Sequence, residues 1–289
     1  MGPGSRFAWP GRLEMSPDLT FILILALRMA IAAAFVVSAS IITERSGPVI
    51  GALIATLPIS AGPSYVFLSL DHDAAFIAQG ALTSLPINAA TIFLGLTYVL
   101  LAQRHSALRS CSAAVAVWLV LASIVHAVHW TLAEGLLANA IAYAICIPIL
   151  ERYRHVKKMP LIARSWNDVP LRAALVATLV ATVTTLSSWV GPANSGILAL
   201  FPIVFTSMML ILHPRIGGPA TAAVVANSGW GMIGFGLGIT VLHVGALRFG
   251  SAAGLSLSLL TSVTWNLMLW WNGRRKAAVV ASEAKQSGD

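Results

Sequence analysis

Two stretches that repeat each other decide the fold: residues 47–60 (GPVIGALIATLPIS) and residues 191–204 (GPANSGILALFPIV). Each begins with Gly-Pro, has another glycine three or four residues after that proline, and then reaches a Pro-Ile pair. Pro58 and Pro202 therefore hold the same place in the two stretches, 144 residues apart. Prolines in identical register at both ends of an apolar run indicate that the chain contains an internal duplication.

The duplication is larger than these stretches, because a shift of 144 residues also aligns positions well outside them. The matched pairs are Leu27-Arg28 with Leu171-Arg172, Ala55 with Ala199, Leu68 with Leu212, and Ser84 with Ser228. The repeated unit is therefore a group of several helices, not one short motif.

Composition predicts that lipid is the solvent for most of the chain. Of its 289 residues 57% are hydrophobic and 10% are charged, whereas soluble domains carry about 25% charged residues. A transmembrane helix needs about 20 apolar residues, and short polar stretches divide the sequence into runs of that length. The nine predicted spans are 19–43, 47–70, 74–102, 108–129, 132–150, 169–190, 192–213, 218–244 and 251–272.

Lysine and arginine residues orient these spans, because positively charged loops stay in the cytoplasm. With the basic C-terminal segment 274–276 inside, nine spans place the N-terminus and the Asp71-His72-Asp73 turn outside. Eight spans would put the positive loops on conflicting sides. The loop cations that nine spans place inside are Arg45, Arg104, Arg109, Arg152, Arg154, Lys157, Lys158, Arg164 and Arg215. The expected location is a bacterial-type inner (plasma) membrane.

The second copy starts five spans after the first, so it enters the membrane from the opposite side. The predicted fold is an all-α polytopic membrane protein with nine transmembrane helices, in two inverted-topology repeats plus a connecting helix. The expected organisation is a disordered tail (1–18), the first membrane repeat (19–130), a connecting helix and cytoplasmic loop (131–168), the second membrane repeat (169–273) and a cytoplasmic tail (274–289).

The stretch from Gly191 to Pro202, continuing to His213, resembles the second helix of the small four-helix inner-membrane proteins of the GlpM type. The resemblance implies that each repeat corresponds to one such protein, here in a tandem inverted duplication. The first copy departs from the pattern, because Gly62-Pro63 adds a second break and Leu57 stands where the second copy has Phe201.

The paired second helices are the strongest candidates for a binding site. A proline inside a helix leaves one backbone carbonyl without its donor, and in lipid such a break survives where it lines a cavity or is supported by neighbours. The alternative is a packing kink whose hydroxyls bond back to their own helix. The candidate solute-binding residues on these helices are Thr56, Pro58, Ser60, Tyr65, Asn194, Ser195, Pro202 and Thr206.

The third helix of each copy adds the candidates Gln79 and Asn88 in the first repeat and Asn227 and Trp230 in the second. Buried amides in membranes are costly unless paired, and they often mark a functional site. The alternative is that they join neighbouring helices by hydrogen bonds.

Carboxylates are nearly missing from the predicted spans, where Glu134 alone occurs. Cation carriers and proton-coupled carriers usually need an intramembrane carboxylate, so the sequence favours a small neutral, amphiphilic or anionic solute. We find no catalytic triad, carboxylate pair or ligand cluster, and expect no enzyme, metal or cofactor. His126, His129 and Glu134 at one turn are the sole hint of a lipid-acting enzyme.

The predicted function is therefore a secondary transporter or exporter that works by alternating access between two inverted repeats. The alternatives are a non-transporting accessory or assembly protein and, ranked lower, a lipid-acting membrane enzyme. The expected partners are membrane lipid and a small-molecule solute, with a homodimer left open. The net charge of +8 comes from residues that flank apolar runs, so nucleic acid is not an expected partner.

Overall fold

The computed structural model describes residues 17–45, 57–58, 61–155 and 168–286. Within these ranges the chain is almost entirely α-helical and contains no β-strand. The ten helices are α1 (Pro17–Arg45), α2 (Ala61–Asp71), α3 (Ala74–Leu101), α4 (Ala107–Ala127), α5 (Leu132–Glu151), α6 (Asp168–Ala199), α7 (Ile203–Ile216), α8 (Gly218–Asn227), α9 (Gly229–Phe249) and α10 (Ser251–Gln286).

Seven stretches of the described residues are long and apolar enough to cross a membrane. The all-α, membrane-type fold predicted from the sequence is therefore what the helices show. The count differs from nine for two reasons. Predicted spans 169–190 and 192–213 fall in one continuous stretch, Asp168–Ile216, and half of predicted span 47–70, including all of 47–56, lies outside the described residues. Nearly all of the predicted tail 1–18 lies outside them as well.

A bend at Gly191 divides α6 at the boundary that the sequence predicted. Gly191 has φ 76° and ψ 176°, a backbone conformation in the left-handed region that glycine adopts without a steric penalty. Pro192 follows as the first residue of the next helical segment, where its missing N–H costs no hydrogen bond. The two predicted spans therefore meet at a sharp bend without an intervening loop.

The turn between α4 and α5 lies where a hairpin was predicted, near Trp130. The indole nitrogen of Trp130 donates to the carbonyl oxygen of Val125 over 3.0 Å. Thr131 caps α5: its hydroxyl accepts from the Glu134 N–H, and the Glu134 carboxylate accepts from the Thr131 N–H over 2.8 Å. This reciprocal capping box fixes the start of α5.

The last helix continues further than the sequence predicted. The final span was expected to end at residue 272, whereas α10 continues to Gln286. The added segment is rich in alanine, lysine, glutamate and glutamine, which are all good helix formers. Residues 274–286 therefore extend the helix beyond its apolar part.

Helix α3 occupies the centre of the protein and contributes many of the largest fully buried side chains, including Leu85, Ile87, Ile92 and Leu94. It packs against α4, α5, α6 and α9. Because lipid is as apolar as leucine, such helices associate by close packing and hydrogen bonds. Small residues allow this on α6, where a Cβ at Gly196 would overlap the carbonyl oxygen of Gly80 on α3.

The third helices of the two copies, α3 and the consecutive helices α8 and α9, pack antiparallel. Their contacts join the start of α3 to the end of α9, the two midpoints to each other, and the end of α3 to the start of α8. The three contacts are Ala78 with His243, Asn88 with Met232, and Ala102 with Gly218. Asn88 and Met232 are 144 residues apart, which is the repeat shift, so equivalent positions of the two copies meet at the centre.

The first helices of the two copies also meet, in a separate apolar cluster between α1 and α6. Ala32 and Val36 pack there with Val176 and Val180, and Phe67 of α2 completes the cluster. Ala32 is the repeat equivalent of Val176, and Val36 is the repeat equivalent of Val180. The burial pattern of the first helices therefore follows the internal repeat.

Candidate functional site

In both copies the matched proline is non-helical and a half-helix begins after it. Leu57 and Pro58 are non-helical before α2 begins, and residues 200–202 are non-helical before α7 begins. The carbonyl oxygen of Pro58 accepts from the Gly62 N–H over 2.7 Å, and that of Pro202 accepts from the Thr206 N–H over 2.9 Å. Each proline carbonyl thus receives the first hydrogen bond of the half-helix that follows it, in the same register in both copies.

The break in the second copy is joined to the first copy through buried hydroxyls. The Tyr65 hydroxyl on α2 lies 2.6 Å from Ser84 Oγ on α3. The Ser84 hydroxyl donates to the carbonyl oxygen of Gly196 on α6 over 2.9 Å. Tyr65 and Ser84 are buried, so these bonds connect three helices at the level of the helix breaks.

A cavity of about 390 Å³ lies beside the first break, between α1, α2, α9 and α10. Pro58 and Tyr65 are part of its wall, which is almost entirely apolar. The Tyr65 hydroxyl is bonded to Ser84, and the Ser256 hydroxyl is bonded to the carbonyl oxygen of Ala252 in its own helix. The described lining residues are Ile31, Phe35, Leu57, Pro58, Ala61, Gly62, Pro63, Tyr65, Val66, Phe67, Leu200, Phe235, Ile239, Leu242, Leu255, Ser256, Ser258 and Leu259.

The second proline is not in that wall. Pro202 is buried, and in the second copy the neighbouring Leu200 reaches the cavity instead. Thr56 and Ser60, which were predicted as polar neighbours of Pro58, lie outside the described residues. The described residues therefore place one of the two prolines at the cavity.

The other polar candidates of the second helices bond to their own backbone. The Asn194 amide donates to the Val190 carbonyl over 2.9 Å, and the Ser195 hydroxyl donates to the Gly191 carbonyl over 2.8 Å. The Thr206 hydroxyl donates to the Pro202 carbonyl over 2.9 Å. These bonds are what the packing-kink alternative predicted, namely polar side chains that bond back to their own helix. They stabilise the backbone next to the bend at Gly191 and the break at Pro202.

Asn88 lies in a buried amide network at the point where α3, α5 and α9 meet. Its side-chain nitrogen contacts the Asn139 amide oxygen at 3.1 Å, the Tyr143 hydroxyl, and the Met232 carbonyl at 3.3 Å. The Tyr143 hydroxyl donates to the same Met232 carbonyl over 2.8 Å. The Asn88 amide oxygen has no hydrogen-bond partner among the residues that the structure describes. A Cβ at Gly236 would lie 2.8 Å from the Asn88 nitrogen, so that glycine makes room for the amide.

Sequence reasoning missed Asn139 and Tyr143, the α5 members of this network. Asn139 also donates to the Leu85 carbonyl over 2.6 Å and to the Gly135 carbonyl over 2.9 Å. A signal was present, because an asparagine and a tyrosine four residues apart share one helix face in an otherwise apolar segment. The predicted connecting helix is thereby part of the core.

Asn227, the last residue of α8, and Trp230, near the start of α9, bond to the end of α5 and to the chain that follows it. The Arg154 guanidinium donates to the Asn227 amide oxygen over 2.9 Å, and the Trp230 indole donates to the Glu151 carboxylate. Glu151 and Arg154 are also ion-paired at 2.6 Å. These two candidates therefore join helix ends and do not line the cavity. Gln79 is exposed on α3.

The histidine and glutamate residues near the α4–α5 turn are exposed side chains. Glu134 is engaged in the cap of α5 through Thr131. Among the described residues no group of three histidine, cysteine, aspartate or glutamate side chains could hold a metal ion. The two cysteines, Cys111 and Cys146, are buried and free.

Comparison with protein-family models, with curated proteins and with solved structures finds no match for this chain. The resemblance of residues 191–213 to the GlpM-type proteins therefore stays a prediction.

Proposed function

We propose that the protein is a secondary transporter whose pathway runs between two inverted copies of one four-helix unit. In this proposal nine helices cross a bacterial-type inner membrane, with the N-terminus outside and the C-terminus in the cytoplasm. The two copies alternate between states that open to opposite sides, as inverted repeats do in secondary transporters. The protein moves a solute and catalyses no reaction.

The observation that carries this proposal is the antiparallel packing of equivalent helices about Asn88 and Met232. Helices that are equivalent in a duplication and run in opposite directions support copies of opposite topology. The contact between positions 144 residues apart is expected where a two-fold axis in the membrane plane passes between the copies. A tandem duplication with parallel copies would not bring these two residues together in this way.

The side-chain contacts between helix ends agree with nine spans. Each joins residues that the proposed topology assigns to the same side of the membrane. On the outer side they are His72 with Ser187 at 2.8 Å and Ala78 with His243 at 2.8 Å. On the cytoplasmic side it is Tyr98 with His213 at 2.9 Å.

The cavity favours an amphiphilic solute over the neutral polar and anionic classes. Its wall contains no charged residue among those described, and the hydroxyls of Tyr65 and Ser256 are already bonded inside the protein. A volume of about 390 Å³ falls in the range of about 300–1,000 Å³ that is typical of small-molecule sites. A hydrocarbon portion of the solute would fill this wall without leaving buried polar groups unpaired.

One observation favours the alternative of a non-transporting accessory protein. Asn194, Ser195 and Thr206 are bonded to their own helix, and Asn227 is bonded to Arg154. Such internally satisfied groups are expected of helices that pack and carry no solute. The two functions predict different results when a larger side chain fills the cavity. A transporter loses solute flux, whereas an accessory protein has no flux to lose.

A matched pair of substitutions in liposomes tests the proposal. Val66 and Leu210 are equivalent in the repeat and are each 44% exposed, but only Val66 is part of the described cavity wall. We expect purified protein to move members of an amphiphile panel, Val66→Trp to abolish that flux, and Leu210→Trp to retain it. Protein that keeps its helical fold but carries no member of a broad panel would contradict the proposal.

A further inference from the structure

Each second helix ends in an ion pair with the first helix of its own copy. Both terminal guanidinium nitrogens of Arg28 on α1 donate hydrogen bonds to the Asp71 carboxylate at the end of α2, with 2.6 Å between Nη2 and Oδ1. Arg215, at the end of α7, donates in the same two-pronged way to Asp168 at the start of α6, with 2.8 Å between Nη2 and Oδ1. Such bidentate pairs fix orientation as well as distance.

The two ion pairs are equivalent in the repeat, but their signs are reversed. Asp71 and Arg215 are 144 residues apart, so the second copy has a cation where the first has an anion. Their partners are not strictly equivalent, because Arg28 corresponds to position 172, one helical turn after Asp168. Each pair contains one arginine, so the exchange of sign changes which helix of the copy carries the cation and leaves both pairs neutral.

Both pairs are partly withdrawn from water. The four side chains are between 18% and 32% exposed, which strengthens their attraction relative to fully exposed pairs. Arg28 also lies 5.8 Å from the ring centre of Phe67, one turn before Asp71. Next to each pair a histidine adds a second contact, from His72 to Ser187 and from His213 to Tyr98. The end of each second helix is thus held at two points.

We propose that these ion pairs are the two gates of the transporter, Arg28–Asp71 on the outer side and Arg215–Asp168 on the cytoplasmic side. This inference rests on the proposed function. Each pair lies within one copy, and with both pairs formed the ends of the second helices are held against the other copy through His72 and His213, which closes the pathway at both ends. Breaking one pair releases the end of α2 or of α7, the half-helices that follow Pro58 and Pro202. The non-helical residues at that proline then let the half-helix move while the rest of its copy stays packed. Alternating access requires that opening one gate favours closure of the other.

Two buried positions report on the gates without knowledge of the solute. Ser187 is 1% exposed behind the outer pair, and Ala220 is 4% exposed in a cluster with Leu212 and Ile216 beside the cytoplasmic pair. Single cysteines at these positions, in a Cys111→Ala and Cys146→Ala background, would be labelled with a membrane-impermeant maleimide in oriented vesicles. Ser187→Cys and Ala220→Cys change the size of the side chain only slightly, but Ser187→Cys weakens the His72 contact. Labelling of each reporter is therefore compared with and without the ion-pair substitution in the same reporter background.

The expected result is reciprocal. Asp71→Asn should raise labelling of the Ser187→Cys reporter about fivefold, the effect of about 1 kcal/mol on an equilibrium, and lower labelling of the Ala220→Cys reporter. Asp168→Asn should produce the opposite changes. Exchanging the charges, with Arg28→Asp and Asp71→Arg together, should return outer labelling toward that of the parent.

Labelling that rises at both reporters together, or at neither, would overturn the gates and leave the ion pairs as simple structural clamps. That result leaves the proposed function standing if the liposomes still show flux. Reciprocal labelling without any flux would instead support coupled movement at the two ion pairs and contradict the proposed transport function. A size-exclusion elution volume in detergent equal to that of the parent protein shows that the fold of each variant is intact.

Discussion

A single methyl group at Gly196 tests the contact between the two copies at the level of the helix breaks. Gly196 of α6 faces Gly80 of α3 so closely that a Cβ would overlap the Gly80 carbonyl oxygen. The overlapping atom belongs to the backbone, so no side-chain rotation relieves it and the helices must separate. Separation also lengthens the 2.9 Å hydrogen bond from Ser84 to the Gly196 carbonyl.

The magnitude follows from comparing two alanine substitutions. Overpacking costs about 1–3 kcal/mol, and an interhelical hydrogen bond in a membrane protein contributes about 0.6 kcal/mol. At Gly273 of α10 an added Cβ would have no atom within 4 Å, so Gly273→Ala receives the same gain in helix propensity without the overlap. Gly196→Ala should therefore be about 2–4 kcal/mol less stable than Gly273→Ala.

The assay is unfolding of each variant in detergent micelles, followed by helical circular dichroism during denaturant titration. The Gly273→Ala protein serves as the matched control and should unfold at or slightly above the parent midpoint. Equal midpoints for the two variants would refute the close approach of α3 and α6, and with it the joining of the copies at the breaks.

Four other substitutions, in three experiments, probe the remaining contacts. Tyr143→Phe and Asn88→Ala should be coupled by about 0.6–1.7 kcal/mol in a double-mutant cycle, measured by the same unfolding assay, and additive effects would dismiss the central network. Thr131→Ala should cost about 1 kcal/mol of stability through loss of the α5 cap and leave liposome flux unchanged; a lost flux would place that turn in the pathway. Trp230→Phe removes one hydrogen bond to Glu151 and should cost no more than about 1.5 kcal/mol with normal flux, so a flux defect would return Trp230 to the binding site.

The broad fold was accessible from the sequence because lipid imposes simple rules. Long apolar runs form helices, and Gly-Pro pairs and charges mark their ends. The bend at Gly191 was visible for the same reason. The capping box of Thr131 and Glu134, which sequence reasoning missed, fixes the start of α5. The predicted span 251–272 described the apolar part of α10 and gave no end for the helix, which continues because residues 274–286 retain helix propensity.

The candidate site was less accessible, because a sequence lists polar residues without showing what satisfies them. Asn194, Ser195 and Thr206 were selected for their chemistry, yet each bonds to the carbonyl one turn earlier in the chain. The central network depends on Asn139 and Tyr143, which approach Asn88 only through packing of helices distant in the sequence. Tertiary contacts of this kind cannot be read from the spacing of residues along one helix.

The most direct test of the central claim is the sidedness of two equivalent positions, Ala75 at the start of α3 and Pro219 at the start of α8. Both are exposed and lie 144 residues apart. In the background without native cysteines, Ala75→Cys should be labelled by an impermeant maleimide from outside the cell, and Pro219→Cys only from the cytoplasmic side. Labelling of both positions from the same side would contradict the inverted arrangement of the two copies.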